Sequence, residues 1–495
     1  MYNMDKKIKY LTIGFFLTII TIHNSLHAQE EVSMYYLNSV PQSIRLNPAV
    51  TPDYKGYFGG LVVPILGQIL PPLNIDISTN SFTYKDIIQK PGGIYGDSLA
   101  WVFRDTTLAR QFLDGLDRVV KINFHTYIDL LHFGFKTQNM FWHFSMVEKI
   151  EVTSSIPRDL MRLLWYGNAG FPSSTIDLSN LGVSAMHYRE LGVGVSHQVN
   201  DQLSLGAKAK ALFGMSNVDM PKTNIEWYTD PATSEFRFNT DFIINVTQPA
   251  ADIHDLRYDT EGDSIIFDYT EKSFKPLDYA LNFKNLGMAF DLGAVFTPVN
   301  KVKIHASITD LGFIRWRDNV TNIHARGKDF SFKGFDFINI MNDSIDDFFD
   351  DLLDSLVHSL DPQLKHQAYT TTTPMKIYLG GEYQLTDIIS FGVLYKGTKW
   401  TDRLSSSFTV SANINKQGFG GVVSYSISKD YLHNVGVGVA FRIGGWQTFI
   451  VTDNILAVAP YNVRNFSIRF GSNWIFRQKK KSAQLIAKNC ACHWY

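Results

Sequence analysis

The chain has 495 residues, a formal net charge of −1, a mean hydropathy of −0.08 and 14% aromatic residues. A mean hydropathy this low excludes a polytopic helical membrane protein. It leaves open a strand-built one, because half of each barrel strand faces the lumen. The near-neutral charge gives no basis for nucleic-acid binding.

Met1–Ala28 reads as an export signal that is cleaved. Lys6, Lys7 and Lys9 form its basic region, and Leu11–Ile22 is an apolar core too short to span a bilayer. Ser25-Leu26-His27-Ala28 supplies small residues before Gln29, with Leu26 departing from the ideal small residue. A buried N-terminal helix is the alternative. Lys6, Lys7 and Lys9 against Asp5 give this segment +2, which leaves −3 on the remainder. No second apolar run is long enough for a membrane helix. Gln29–Val63 is irregular and contains Pro and Asn. It is expected either to plug a lumen or to lie beneath a barrel. Asp86–Val120 has turns at Pro91-Gly92-Gly93 and a helical stretch near Thr107–Val119, and Ile156–Tyr166 reads as a second helix that stops at Gly167-Asn168.

Alternating runs follow. Leu203, Leu205, Ala207, Ala209 and Ala211 alternate with Ser204, Gly206, Lys208 and Lys210; Val302, Ile304, Ala306 and Ile308 alternate with Lys301, Lys303, His305, Ser307 and Thr309. Phe408–Ile414, Phe419–Ile427 and Val435–Arg442 repeat the pattern. In the last run, Phe466, Ile468, Phe470, Trp474 and Phe476 oppose Asn465, Ser467, Arg469, Gly471 and Asn473. Successive strand side chains point to opposite faces, so each run has one apolar and one polar face. A soluble sandwich or propeller also alternates. The export signal, the hairpins and the cationic polar faces point instead to an outer-membrane β-barrel of roughly 14 antiparallel strands with short helical insertions, counted from Phe124 to Phe476. Lys208, Lys210, Lys303, His305, Arg442 and Arg469 are the candidate lumen-facing residues.

Tight turns are expected at Val199–Gln202, Pro298–Lys301, Leu385–Ile388, Lys416–Gly418 and Gly444–Gly445. Asn, Asp and Gly there tolerate the positive φ of hairpin turns. Asp343–Leu360 carries apolar residues at helical spacing among six aspartates and ends at Asp361-Pro362. It reads as an acidic amphipathic helix on a barrel rim. A cation-binding role is disfavoured because the loop lacks a calcium-type glycine pattern. Arg477–Tyr495 is expected to be a basic, disordered tail. Its Cys490 and Cys492 have no second ligand cluster nearby, as zinc would require.

No catalytic signature stands out. Gly392–Lys399 has P-loop spacing without its Gly-Lys-Ser/Thr ending, and no His-Glu-x-x-His or Gly-x-Ser-x-Gly is present. Neither an enzyme nor a cofactor is expected.

Five groups of residues carry a resemblance: Asn47-Pro48-Ala49; Ile156–Leu160 running into Leu164–Ala169; Tyr188-Arg189-Glu190; Leu205–Lys208 with Leu212-Phe213-Gly214; and Asp310–Trp316. Through them the chain resembles the Bacteroidota outer-membrane proteins called DUF5723. Asn47-Pro48-Ala49 is also similar to PorP/SprF-like barrels associated with type IX secretion and gliding. The resemblance implies no catalytic residues. Two function classes are expected. One is passive transport of small or hydrophobic molecules, as in barrels resembling long-chain fatty-acid transporters. The other is a scaffold that binds envelope proteins in a secretion, gliding or surface-assembly machinery. Outer-membrane lipid is the expected surround in both.

Overall fold

A computed structural model describes residues 31–61, 72–89, 100–166, 175–229, 236–248, 251–259, 264–271, 282–332, 362–400, 403–416, 418–428, 433–458 and 463–476. The expected signal peptide, the acidic helix at 343–361 and the basic tail at 477–495 lie outside these residues.

The alternating runs close into a single antiparallel barrel of 14 strands. The first strand, β1, comes in two pieces, Gly56–Gly59 and Leu73–Thr79. Then follow β2 (Val119–Thr137), β3 (Met140–Pro157), β4 (Gly182–Gln198), β5 (Leu203–Thr229), β6 (Asn285–Val299) and β7 (Val302–Trp316). The wall continues with β8 (Met375–Gln384), β9 (Ile389–Trp400), β10 (Arg403–Lys416), β11 (Phe419–Ser428), β12 (Asn434–Ile443), β13 (Trp446–Thr452) and β14 (Asn465–Phe476). The ring closes where β14 pairs with both pieces of β1, at Gly56↔Phe476 and Leu73↔Phe470. Closure satisfies every strand edge, as a wall in hydrocarbon requires.

The wall begins earlier than the sequence count placed it. Gly56–Gly59 belongs to β1 and not to the irregular N-terminal segment, and Leu73–Thr79 precedes Phe124. The two pieces are in line. Leu61 N–H donates to the Asp129 carbonyl, and Asp129 N–H donates to the Pro72 carbonyl, so both ends of the interruption return to one residue of β2.

Hairpins join the strands at one end of the barrel. The turns at Val199–Gln202, Pro298–Lys301, Leu385–Ile388, Lys416–Gly418 and Gly444–Gly445 all connect consecutive strands, and Gln138-Asn139 adds another. Lys301 (φ 77°), Gly418 (φ 96°) and Gly444 (φ 65°) take the left-handed backbone these turns demand. Long connections lie at the other end, which marks it as the external side. There β5, at 27 residues, runs well past the roughly 9–11 that cross a bilayer. Its upper half pairs with Phe236–Thr247, which in turn pairs with Val320–Phe332.

Two helices pack beside this rim. α1 is Thr106–Gly115, capped by Asp105, whose carboxylate accepts from the Thr107 and Leu108 amides at 2.8 and 3.0 Å. It ends before Val119, which already belongs to β2. α2 is Arg158–Tyr166; Ile156 and Pro157 finish β3. Val102, Phe112, Leu113 and Leu116 bury against Val120, with Met161 and Trp165 packed on them.

The two faces of the wall differ as the alternation requires. Ile304, Ile308, Phe466, Phe290 and Leu205 are exposed on the outside. The inside carries Asn74, Asp76, His125, Lys149, Glu190, Lys208 and Arg469, all buried. A charged interior under an apolar exterior inverts a soluble domain and matches a membrane barrel.

Candidate functional site

What buries the inner face is the chain's own N-terminal segment. Residues 31–54 run inside the barrel through two short 3-10 turns, Val32–Met34 and Pro41–Arg45. Val32, Met34, Tyr35, Tyr36, Leu37, Val40 and Leu46 form one core with Tyr378, Leu394, Val422, Ala440, Phe449 and Val451 of the wall. Nearer the hairpin end, Ile44, Tyr54 and Tyr57 pack on Phe141 and Ile475.

The wall makes room with glycines. A Cβ at Gly206 would lie under 3.0 Å from backbone atoms of Pro48 and Ala49, and one at Gly380 or Gly392 would strike Tyr36. Gly293 meets Asn47 in the same way. Such contacts seat the segment at specific wall positions.

Polar bonds fix it further. Ser33 N–H donates to Asp453 Oδ1 at 2.8 Å, and Tyr36 Oη donates to the Val393 carbonyl at 2.6 Å. Asn415 Nδ2 donates to the Tyr36 carbonyl at 3.0 Å, and Ser307 Oγ to the Leu46 carbonyl at 2.6 Å. Arg45 pairs with Asp129, and its guanidinium lies 4.7 Å from the Tyr127 ring centre.

Two buried ionic clusters flank the segment. In the first, Lys208 Nζ lies 2.7 Å from Glu190, and Lys149 lies 2.8 Å from Glu190 and 3.1 Å from Asp310. Lys210 Nζ is 2.7 Å from both Asp291 and Asp310. A bulge supplies Asp310. Its φ of 57° and the shift in β6–β7 register let Thr309 and Asp310, adjacent in sequence, both face inward. In the second cluster, Arg469 binds Asp76 at 2.9 Å and Asp453 at 2.7 Å, with Glu31 of the plug at 3.8 Å. One cation thus ties β14, β1, the loop after β13 and the start of the plug.

All six candidate residues take positions on the inner side. Lys208, Lys210 and Arg469 sit in the clusters. His305 is buried against the Tyr36 ring, 5.3 Å between centres, and 3.5 Å from Glu382. Lys303 lies 3.7 Å from Glu382, and with Arg442 it lines a cavity at the hairpin end. The sequence alone did not mark Lys149 or Asp291, and Glu190 and Asp310 stood out only as carriers of the family resemblance, not as lumen residues. Asp291, a charge between outward Phe290 and Leu292, carried a readable signal. The Asp310 bulge breaks the alternation and hides its direction.

Among the described residues, the lumen holds two substantial cavities. The outer, of about 1030 Å³, is lined by Asn80, Lys121, Thr153, Ser155, Ser184, Asp219, Thr371 and Arg464, among others. Ser184 Oγ donates to Asp219 at 3.0 Å, while burial pushes this rim carboxyl above its usual range. The inner, of about 570 Å³, opens at the hairpin end beside Thr51–Tyr54, Lys303 and Arg442. Between them the plug and the clusters leave voids of only about 20 Å³ each.

Four of the five residue groups that carry the family resemblance place residues on the inner side of the wall or in the plug, while Arg158–Tyr166 forms α2 at the rim. Asn47-Pro48-Ala49 rests on Gly206 and Gly293, Glu190, Lys208 and Asp310 meet in one cluster, and Gly214 lies under the buried Trp316.

Solved structures give distant likenesses. The Ralstonia pickettii toluene transporter TbuX is 10% identical, with 89% of this chain and 94% of that one covered and a TM-score of 0.39. A Pseudomonas aeruginosa FadL homologue is 10% identical, with 92% and 100% covered and a TM-score of 0.42. The translocator domain of the autotransporter NalP from Neisseria meningitidis is 8% identical, with 89% and 93% covered and a TM-score of 0.30. No curated protein matches. A family model described as "Family of unknown function (DUF5723)" matches residues 48–453, most of the wall and the seated end of the plug, and the chain belongs to that family.

Proposed function

We propose that the protein is an outer-membrane barrel that passes small polar solutes when its N-terminal segment leaves the lumen. The carrying observation is the division of one polar lumen into an outer and an inner cavity by a segment of the same chain. The lining of the outer cavity is mostly hydroxyl, amide and charged. Such a surface suits a hydrated solute, and a hydrocarbon would leave those groups desolvated and unpaired. The hydrophobic cargo considered from sequence is therefore the weaker choice. The plug resembles a closed state: it seals the path, yet ion pairs and single hydrogen bonds supply many of its contacts.

The seal also favours a second reading, a barrel that never conducts and serves as a scaffold for envelope proteins. Solute uptake by reconstituted vesicles separates the two. Wild-type protein and Arg45→Gln, which loses the Asp129 pair, are compared using neutral sugars of increasing size. Faster uptake by the variant, with a size limit, supports transport. Folded barrels of both forms that pass nothing, together with fixed proteins recovered by pull-down from native membrane, support the scaffold.

A further inference from the structure

On β3, β4, β6 and β7 the outward residues are apolar from near the hairpin end up to one level, where the first charge of each strand stands. On β7 the outward residues are Ile304, Ala306, Ile308, Leu311 and Phe313, and the next is Arg315. On β4 they are Val195, Val193 and Leu191, and the next is Arg189. On β3, Trp142, Phe144 and Met146 are followed by Glu148. On β6, Phe290, Met288 and Leu286 are followed by Lys284, with exposed Phe283 next to it.

Strand pairing puts these first charges at one level around the wall. Glu148 pairs with Arg189, Arg189 with Phe213, and Phe213 with Leu286; Gly287, next to Leu286, pairs with Ile314, next to Arg315. From the hairpin ends the level is about a dozen residues up. At 35–45° of tilt this is about 30 Å, the outer edge of the hydrocarbon.

The sign of the charge is uneven. Arg189 is matched by Glu148 at 2.7 Å, and Lys284 by Asp318 at 3.0 Å. Arg315 and Arg317 are exposed and have no ion-pair partner among the described residues. Exposed Phe283 and Leu286 lie beside them, so the arginines stand at the boundary between acyl chains and head groups.

We propose that Arg315 and Arg317, flanked by Lys284 and Arg189, bind the phosphate groups of outer-leaflet glycolipid. Guanidinium binds phosphate through paired N–H donors, and the low dielectric at the membrane edge strengthens such bonds. The site needs the barrel's orientation but not solute passage, so its failure leaves the transport reading untouched.

Native mass spectrometry of the full chain in detergent tests it, with diphosphorylated lipid A, the same glycolipid stripped of phosphate, and inorganic phosphate as probes. The wild type is expected to retain the diphosphorylated lipid in preference to the stripped one. The double variant Arg315→Gln/Arg317→Gln is expected to bind it about 30-fold more weakly, the loss of two cations near a charged surface. Lys85→Gln, an exposed charge elsewhere, controls for net charge, and heat-modifiable migration confirms that each form is folded. Equal binding of stripped and phosphorylated lipid, equal retention by the double variant, or inorganic phosphate competing fully at equal concentration overturns the proposal.

Discussion

Gly206→Ala adds one methyl group where Pro48 and Ala49 of the plug cross the wall, with the new carbon less than 3.0 Å from their backbone atoms. Neither side yields easily: β5 is held by ladders to β4 and β6, and the obstacle is main chain, not the tip of a flexible side chain. Overpacking of this kind costs about 1–3 kcal/mol. If the plug moves and the wall does not, that energy acts on the equilibrium between seated and withdrawn plug. At 1.36 kcal/mol per tenfold, it raises the withdrawn fraction by about 5- to 150-fold. Arg45 reports the change, because its guanidinium is mostly buried and paired while the plug is seated. Trypsin cleavage after Arg45 tracks the open population when reclosure is faster than cutting. The cleavage rate in reconstituted membranes is therefore expected to rise by the same factor. Gly380→Ala, whose Cβ would strike the Tyr36 hydroxyl at the end of that side chain, is expected to act in the same direction but less strongly. Gly381→Ala, one residue on and facing out, meets nothing nearer than 3.5 Å and is expected to be neutral. Unchanged cleavage in Gly206→Ala and Gly380→Ala, with the barrels folded, would refute the seating of the plug.

Three other outcomes are expected. Arg469→Gln leaves Asp76 and Asp453 buried without their cation, so it should destabilise by about 3–5 kcal/mol; a lower temperature for loss of the heat-modifiable form on gels measures this. Ile304→Arg places a charge in the lipid-facing belt and should cost about 2–4 kcal/mol, while Lys303→Ser, at the inner mouth, should cost little in the same folding assay. Gly214→Ala drives a methyl into the Trp316 ring and should lower stability by about 1–3 kcal/mol in denaturant unfolding, with Gly421→Ala, on the outer face, as the mild comparison.

The wall was legible in the sequence because strand period and turn chemistry are local. Phe466 to Phe476 shows its two faces without reference to any other segment, and Asn300-Lys301 or Gly444-Gly445 announces a hairpin by backbone preference alone. The first strand was missed because its two pieces have only 4 and 7 residues, with an interruption between them. The second piece, Leu73–Thr79, does alternate, with Asn74, Asp76 and Ser78 inward. The lysines of the lumen were visible as polar residues between apolar ones. Their partners were not, since Lys208 meets Glu190 from the neighbouring strand and Lys210 meets Asp310 from a strand 100 residues on. Arg469 collects acids from positions 31, 76 and 453, a grouping that only ring closure and the plug create.

Residues 31–54 fill the lumen between its two cavities and should therefore close it. Single-channel recording in planar bilayers tests this closure most directly, comparing the wild type with a form lacking residues 31–52, each shown to be folded by heat-modifiable migration. The wild type is expected to be silent or to open briefly, and the deletion to give a steady, large conductance. A wild type that conducts steadily at the level of the deletion, or a folded deletion that stays silent, would contradict closure by this segment.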